Sequence, residues 1–198
     1  MPRRGAELCE HILDVASELF YAHGLRNVGI NRVIRESGVS RGTLYNHFES
    51  KDHLIEAYVQ RQSVRWLEWY TSRIAETPGD PRDKILGAFD VLDCWFQSGN
   101  FRGCSVANAM VELADADHAA TELKEAHDRS LRCLFADLVE ASGVEDVAEL
   151  SEELFVVLRG AEMSAFLDGP QGVAQRCRRI AEHLLDVHLS QPTTDRAL

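Results

Sequence analysis

Residues Ile30 to Phe48, INRVIRESGVSRGTLYNHF, have the pattern of two short helices joined by a tight turn. In the first helix, Ile30, Val33 and Ile34 recur at intervals of three and four residues, which predicts one buried stripe. Gly38 follows at a position where a left-handed backbone conformation ends a helix most easily. The stretch therefore predicts a compact helix–turn–helix unit.

The second helix of this unit is predicted from Arg41 to His47, with Ser40 as its N-cap and Leu44 and Phe48 facing inward. The residues left on its outer face are Arg41, Thr43, Tyr45, Asn46 and His47, and Gly42 leaves the backbone bare between them. Such a face suits the major groove of DNA, because Arg can pair with guanine, Asn with adenine, and a Thr methyl group can touch thymine.

The longer run GVSRGTLYNHFESKDHL resembles the DNA-binding domain of the TetR/AcrR family of transcriptional regulators, and the resemblance covers roughly residues 8 to 55. A turn followed by G-T-L-Y-x-H-F-x-x-K-x-x-L is a specific signature of that family. One departure is Gly29, where the family usually has a Thr or Ser that caps the helix and touches a phosphate. The resemblance implies an all-α fold, with a three-helix DNA-binding domain followed by a larger helical ligand-binding and dimerisation domain.

Helical periodicity and turn signals continue along the chain and predict about nine helices. We expect a DNA-binding domain at 1–50, a ligand-binding and dimerisation domain at 51–190, and a flexible tail at 191–198. The predicted helices span about 6–23, 30–37, 41–47, 51–76, 81–97, 103–114, 118–142, 149–167 and 171–189.

The charge is divided unevenly along the chain. Of 21 basic and 32 acidic residues, seven of each lie in residues 1–52, so the whole net charge of −11 belongs to the remainder. Binding to DNA would then depend on a local basic patch (Arg3, Arg4, Arg41 and Lys51), while the acidic body would disfavour non-specific binding. An ordinary acidic protein would explain the body equally well.

Other function classes receive little support from the sequence. The five cysteines are scattered and lack C-x-x-C spacing, which is typical of a reduced, cytoplasmic protein. No apolar segment approaches the roughly 18 residues of a membrane span, so no membrane partner is expected. No zinc-ligand spacing, phosphate loop or nucleophile motif is present, so we expect no metal, no cofactor and no enzyme activity.

The resemblance assigns roles on the second helix and just after it. Tyr45 and Lys51 would hold phosphates, and Arg41, Thr43 and His47 would approach base edges. Ser40, Gly42 and Asn46 complete the predicted DNA-binding set. Arg3 and Arg4 would either reach the minor groove as an arm or remain solvated.

We expect a dimer, because two symmetry-related subunits would place their reading helices about one DNA turn apart. The resemblance implies that the last two predicted helices of each subunit form the interface. Small residues in the first of these helices would let helices approach closely, although they could equally pack within one subunit. The predicted dimerisation residues are Leu154, Val157, Ala161, Ala165, Ile180 and Leu184.

The predicted helices between the DNA-binding domain and this interface are rich in aromatic side chains. The resemblance implies that an unidentified small molecule binds there and releases the protein from DNA. We expect that effector to be mainly apolar, because few buried charges are indicated. An aromatic stripe at helical spacing is also typical of an ordinary core. The candidate effector-binding residues are Trp66, Trp69, Phe89, Trp95, Phe96, Cys104, Met110 and Phe166.

Cys104 supports an alternative. The segment Gly103-Cys104-Ser105-Val106-Ala107-Asn108 resembles the G-C-x-x-N segment of one subgroup of the family, in which some members respond to electrophiles or oxidants. A thiol in the first turn of a helix, beside Arg102, would have its thiolate favoured. Burial under close helix packing is the other explanation for a cysteine here.

The sequence thus predicts a homodimeric, ligand-responsive regulator that binds a roughly palindromic double-stranded operator, most simply a repressor. Two rivals are a thiol-based regulator switched through Cys104 and an all-α enzyme that carries a helix–turn–helix. No catalytic constellation supports the enzyme.

Overall fold

The structure, a computed structural model, describes residues 5–99, 101–113 and 119–190. These residues form nine α-helices and no strand, which confirms the all-α prediction. The predicted tail 191–198, the arm residues Arg3 and Arg4, and the predicted helix ends at Ala114 and His118 lie outside the described residues. None of the described helices is long and apolar enough to cross a membrane.

The helix boundaries follow the predicted ones to within about two residues wherever both ends are described. The helices are α1 (Gly5–His23), α2 (Ile30–Ser37), α3 (Arg41–His47), α4 (Lys51–Ala75), α5 (Pro81–Phe96), α6 (Ser105–Leu113), α7 (Ala120–Ala141), α8 (Val147–Asp168) and α9 (Val173–Ser190).

Local sequence signals explain where several of these helices start. Asp80 caps α5 by accepting a hydrogen bond from the Asp83 N–H, and the Asp83 side chain accepts from the Asp80 N–H in return. Pro81 then occupies the first turn, where its missing N–H costs nothing. Helix α8 starts two residues before the predicted position, because Asp146 caps it by accepting from the Glu149 N–H.

By its contacts, the chain divides into two units. Among the described residues, unit 1 contains those up to Arg65 and those from Cys104 to His127, and unit 2 contains the others. The predicted boundary at residue 50 is sequence-based and stays a prediction. Helix α6 belongs to unit 1, although it lies far along the chain from α1–α3.

In unit 1, α1 packs against both α2 and α3. Ile12, Ala16 and Leu44 are completely buried there. Arg61 of α4 contacts α1. Its guanidinium donates a hydrogen bond to the Leu13 carbonyl oxygen at 2.6 Å and lies 2.8 Å from an Asp14 carboxylate oxygen. Polar contacts thus join α4 to α1 in this unit.

In unit 2, α9 packs against both α5 and α8. The core is built from apolar residues of α4, α5, α7, α8 and α9, among them Tyr70, Phe89, Leu131, Leu154 and Ala181, all fully buried. Two of the predicted effector-binding residues, Phe89 and Phe96, are part of this core.

Candidate nucleic-acid interface

Helix α3 is fixed at both ends by local contacts. Ser40 has an extended backbone, and its hydroxyl oxygen accepts a hydrogen bond from the Thr43 N–H at 3.0 Å. The Ser40 and Thr43 hydroxyls also lie 2.8 Å apart. At the other end, the Phe48 N–H donates to the Leu44 carbonyl. The predicted N-cap is confirmed, and it starts α3 at Arg41.

The buried side of α3 determines which side chains face outward. Leu44 is 0% and Phe48 is 3% exposed, as the helical spacing predicted. Among the predicted DNA-binding residues, Ser40, Arg41, Gly42, Tyr45 and Asn46 are exposed, whereas Thr43, His47 and Lys51 are half-buried. All eight belong to unit 1, and six of them lie on α3.

The turn between α2 and α3 has the conformation that the sequence predicts. Gly38 adopts a left-handed backbone with φ 67° and ψ 17°, and its N–H donates to the Arg35 carbonyl. The carbonyl oxygen of Ser37 accepts a hydrogen bond from His11 Nε2 of α1 at 2.9 Å. The end of α2 is thus held to α1, which fixes the direction in which the chain enters α3.

Gly29 is the N-cap of helix α2; it has an extended backbone and makes no side-chain cap hydrogen bond. Glycine can occupy an N-cap, but it offers no oxygen to the first N–H groups of the helix. Added to Gly29, a Cβ atom would meet nothing within 4 Å, so the structure does not require glycine here.

Two of the basic side chains on this surface are held by neighbouring residues. Arg41 Nη2 donates a hydrogen bond to Asn31 Oδ1 of α2 at 2.5 Å. Lys51 Nζ, at the first position of α4, donates to the Leu25 carbonyl oxygen at 2.6 Å. Both side chains keep further N–H donors, since a guanidinium has five and an ammonium has three. Neither contact could be predicted from residue spacing.

A surface with this composition can bind a DNA duplex. Arg and Asn side chains on an exposed helix offer donors and acceptors to base edges, and an adjacent Lys and Tyr offer donors to phosphates. Within the described residues, no three His, Cys, Asp or Glu side chains are grouped so that they could hold a metal ion.

Comparison with known proteins agrees with this geometry. Residues 12–58 match the family model described as bacterial regulatory proteins of the tetR family. A crystal structure of SCO4454, a TetR-family transcriptional regulator from Streptomyces coelicolor, superposes with a TM-score of 0.84 at 27% identity, covering 92% of this chain and 96% of that one. Residues 12–58 are therefore similar in sequence to the TetR family, and the fold of most of the chain is similar to that of a TetR-family regulator.

Two curated relatives of this chain carry repressor names. It is 25% identical to the HTH-type transcriptional repressor NemR of Escherichia coli over 133 residues, which are 67% of this chain and 65% of NemR. It is 30% identical to the HTH-type transcriptional repressor KstR2 of Mycolicibacterium smegmatis over 88 residues, 44% of this chain and 42% of KstR2. The chain therefore matches less than two thirds of either relative's length.

The predicted effector-binding residues are divided between the two units. Trp66, Trp69 and Trp95 are partly buried against the core of unit 2, and Phe166 of α8 is 46% exposed. Cys104 is 7% exposed and, like the half-buried Met110, lies in unit 1. A shallow hollow of about 500 Å³ on unit 1 has a different lining, namely Ala6, Glu7, Glu10, His11 and Asp14.

The predicted dimerisation residues also fall into two groups. Leu154, Ala161 and Ala165 are at most 2% exposed and lie in the core of unit 2, whereas Ile180 is 47% exposed. Val157 and Leu184 are partly buried against the same core. These three residues therefore pack within one subunit, which is the alternative that the sequence left open for the small residues Ala161 and Ala165.

Unit 2 contains a buried ionic cluster that the sequence did not predict. Arg159 donates hydrogen bonds to the carboxylates of Asp128 and Glu162, whose side chains are 8% and 5% exposed. Burial raises the pKa of Glu162, and the neighbouring Arg159 guanidinium partly offsets that rise. Buried charges are few among the described residues, as expected, but their grouping around Arg159 could not be predicted from helical spacing.

Proposed function

We propose that this chain is a homodimeric transcriptional regulator that binds a roughly palindromic DNA operator and acts as a repressor released by a small molecule. The observation that carries the proposal is the exposed surface of α3, where Arg41, Tyr45 and Asn46 point away from a core fixed by Leu44. The repressor names of NemR and KstR2 support the direction of regulation.

In this proposal α3 lies in the major groove. Arg41, Thr43 and His47 approach base edges, and Tyr45 and Lys51 hold phosphates. Phosphate contacts fix the register of the protein on the duplex, and base contacts give the sequence preference. The contact between Lys51 and the Leu25 carbonyl supports this assignment, because it orients the ammonium group and leaves two of its donors for a phosphate.

Dimerisation is supported by apolar side chains left exposed on the last two helices. On α8, Val156, Met163 and Leu167 are 65%, 49% and 67% exposed, and they follow one another at helical spacing with Gly160 between them. On α9, Ile180 and Val187 are 47% and 50% exposed and lie on one face with Leu184. Large exposed apolar surfaces are uncommon on monomers and typical of interfaces.

Sedimentation can test the dimer. Wild type should sediment at twice 22.2 kDa at micromolar concentration, and Met163→Glu combined with Leu167→Glu should sediment as a monomer. Val111→Glu is the matched control, because Val111 is 77% exposed but belongs to unit 1. A wild-type monomer, or a dimer that survives the double substitution, would contradict this interface.

The effector is proposed to contact the aromatic residues of unit 2. Trp66 stacks on Tyr70 with ring centroids 4.6 Å apart and lies 5.2 Å from Trp95, which meets Phe101 edge-on at 4.9 Å. The partly exposed tryptophans offer a mainly apolar surface. Release from DNA would be a population shift, whose size is limited by the difference in the effector's affinity for the two conformers.

The alternative is a regulator of the same kind that is switched by a thiol at Cys104. A reversible ligand is preferred, because Cys104 is only 7% exposed while Cys94 and Cys133 are exposed. Labelling with iodoacetamide distinguishes the two possibilities. If Cys104 reacts faster than Cys94 and Cys133, and its alkylation abolishes DNA binding, the thiol switch replaces the ligand proposal.

Selection of duplexes from a random pool by the purified protein tests the proposed function itself. The selected sequences should contain two inverted half-sites with centres about 10 base pairs apart. If selection enriches no sequence over the starting pool, the proposal fails.

A further inference from the structure

We propose that Asn31 is a positioning residue for base recognition, and that it acts by holding the guanidinium of Arg41. This inference rests on the proposed function, since it assumes that α3 reads DNA. It adds a residue of the preceding helix to the determinants of sequence preference.

The observation is one hydrogen bond between the two helices of the helix–turn–helix unit. Asn31 is the second residue of α2 and Arg41 is the first residue of α3, and Arg41 Nη2 donates to Asn31 Oδ1 at 2.5 Å. Both residues are exposed. The bond therefore lies on the surface of unit 1 that the proposal directs toward DNA.

The backbones that carry the pair are themselves fixed. The Ser37 hydroxyl donates to the Val33 carbonyl at 2.6 Å, and Gly38 turns the chain with its left-handed conformation. Val33 of α2 and Leu44 of α3 are both completely buried. The position of α2 relative to α3 is therefore fixed, and so is the position of Asn31 relative to the Arg41 guanidinium.

Holding the side chain changes recognition more than stability. A free arginine side chain carries about 2 kcal/mol of rotamer entropy, part of which is lost when it binds a base. Ordering the guanidinium before DNA arrives reduces that cost. An exposed hydrogen bond contributes little to the unfolding free energy, because water replaces it readily.

The bond is compatible with base recognition by the same arginine. A guanidinium has five N–H donors, and bidentate pairing with guanine uses two of them. Asn31 occupies one donor and leaves four. To read adenine itself, Asn31 would have to accept at Oδ1 from the base as well as from Arg41, and the double variant below distinguishes that role from positioning.

The experiment uses the full-length protein and a duplex obtained by selection from a random pool. Fluorescence anisotropy gives the affinity for this duplex and for a set in which each base pair is replaced in turn. The variants are Asn31→Ala, Arg41→Ala and the double variant. Asn27→Ala is the matched control, because Asn27 is also exposed and its amide donates within the protein, to the His23 carbonyl.

We expect Asn31→Ala to lower discrimination about three- to tenfold at the same base pair that Arg41→Ala affects, and at no other. The double variant should behave like Arg41→Ala alone, because without the arginine there is nothing to position. Asn31→Asp should restore discrimination, since it keeps the acceptor, while its negative charge weakens binding to every duplex alike. Asn27→Ala should change neither quantity.

Three outcomes would overturn the positioning role. An equal loss of affinity for all duplexes in Asn31→Ala would indicate a phosphate contact, and additive losses of discrimination in the double variant would indicate that Asn31 touches DNA itself. Unchanged discrimination in Asn31→Ala would also overturn it. Thermal unfolding of each variant excludes a folding defect. A wild type without sequence preference would instead overturn the proposed function, so the two failures are distinguishable.

Discussion

Replacing Arg159 by Met is expected to destabilise the protein by about 3–5 kcal/mol, the usual cost of removing one partner from a buried ion pair. Arg159 is the guanidinium that pairs with both Asp128 and Glu162, whose side chains are 8% and 5% exposed. In the variant, neither carboxylate has that partner. For a protein of this size the loss corresponds to a fall in the unfolding temperature of roughly 6–20 °C.

Arg132→Met is the matched control. Arg132 lies over the ring of Phe155 at 3.9 Å, as Arg159 does at 5.1 Å, and it also pairs with a carboxylate, that of Glu152. Its side chain is 41% exposed and that of Glu152 is 52% exposed, however. Solvent screens such a pair, so its loss should cost no more than about 1 kcal/mol.

The destabilisation by Arg159→Met should depend on pH. Arg159 lowers the pKa of Glu162, so its removal raises that pKa further above the value in the unfolded chain. As the pH falls, Glu162 is protonated in the folded variant before it is protonated in the unfolded chain. The difference in unfolding free energy between wild type and the variant therefore shrinks. Urea unfolding at fixed protein concentration, at pH 7 and pH 5, measures the change. Equal costs for Arg159→Met and Arg132→Met, or a deficit that grows toward pH 5, would refute the reasoning.

Three further predictions concern single residues. Burial raises the pKa of Glu162 in the folded state, so wild type should lose stability as the pH rises from the pKa of the unfolded chain to that of the folded protein, by at most about 1.4 kcal/mol per pH unit. This dependence should be missing in Glu162→Gln. If the difference in unfolding free energy between wild type and Glu162→Gln stays constant from pH 4 to pH 8, the prediction is wrong. Ser40→Ala removes the oxygen that accepts from the Thr43 N–H and should cost about 1 kcal/mol in urea unfolding, whereas an unchanged midpoint would argue against the cap. Lys51→Ala should weaken binding to all duplexes alike. It should also reduce the magnitude of the slope of log affinity against log salt concentration by about 0.9 for each phosphate that the side chain neutralises. A loss of affinity confined to duplexes changed at one base pair would assign Lys51 to base recognition instead.

Much of the fold could be predicted because local chemistry and apolar spacing agree in this chain. Gly38 and Ser40 mark the end of one helix and the start of the next, and both have the backbone conformation that their residue types favour. Asp80 and Pro81 start α5 for the same reason. Where these signals were weaker, as at the start of α8, the predicted boundary was two residues late.

Contacts between residues far apart in sequence could not be predicted in this way. Arg26 Nε of the α1–α2 loop donates to the Glu112 carbonyl at the end of α6, 86 residues later, and no spacing rule connects them. The pairing of Arg159 with Asp128 is of the same kind. Periodicity identifies the apolar side of a helix, but it does not tell which polar residue a neighbouring helix will bury.

The candidate DNA-binding surface could be predicted from the sequence in part. The outer face of α3 followed from the inward positions of Leu44 and Phe48, because the two sides of a helix determine each other. The contacts that hold its basic side chains, from Arg41 to Asn31 and from Lys51 to Leu25, depend on how α2 and α4 are placed beside it. They became visible only in the three-dimensional structure.

The central claim is that an exposed helix beginning at Arg41 reads base edges in the major groove, and methylation interference on a selected duplex tests it most directly. A methyl group on guanine N7 occupies the acceptor that an arginine uses there. Methylated guanines should be depleted from the bound fraction in two clusters about 10 base pairs apart. Depletion confined to adenine N3 in the minor groove, or a uniform pattern along the duplex, would contradict the claim.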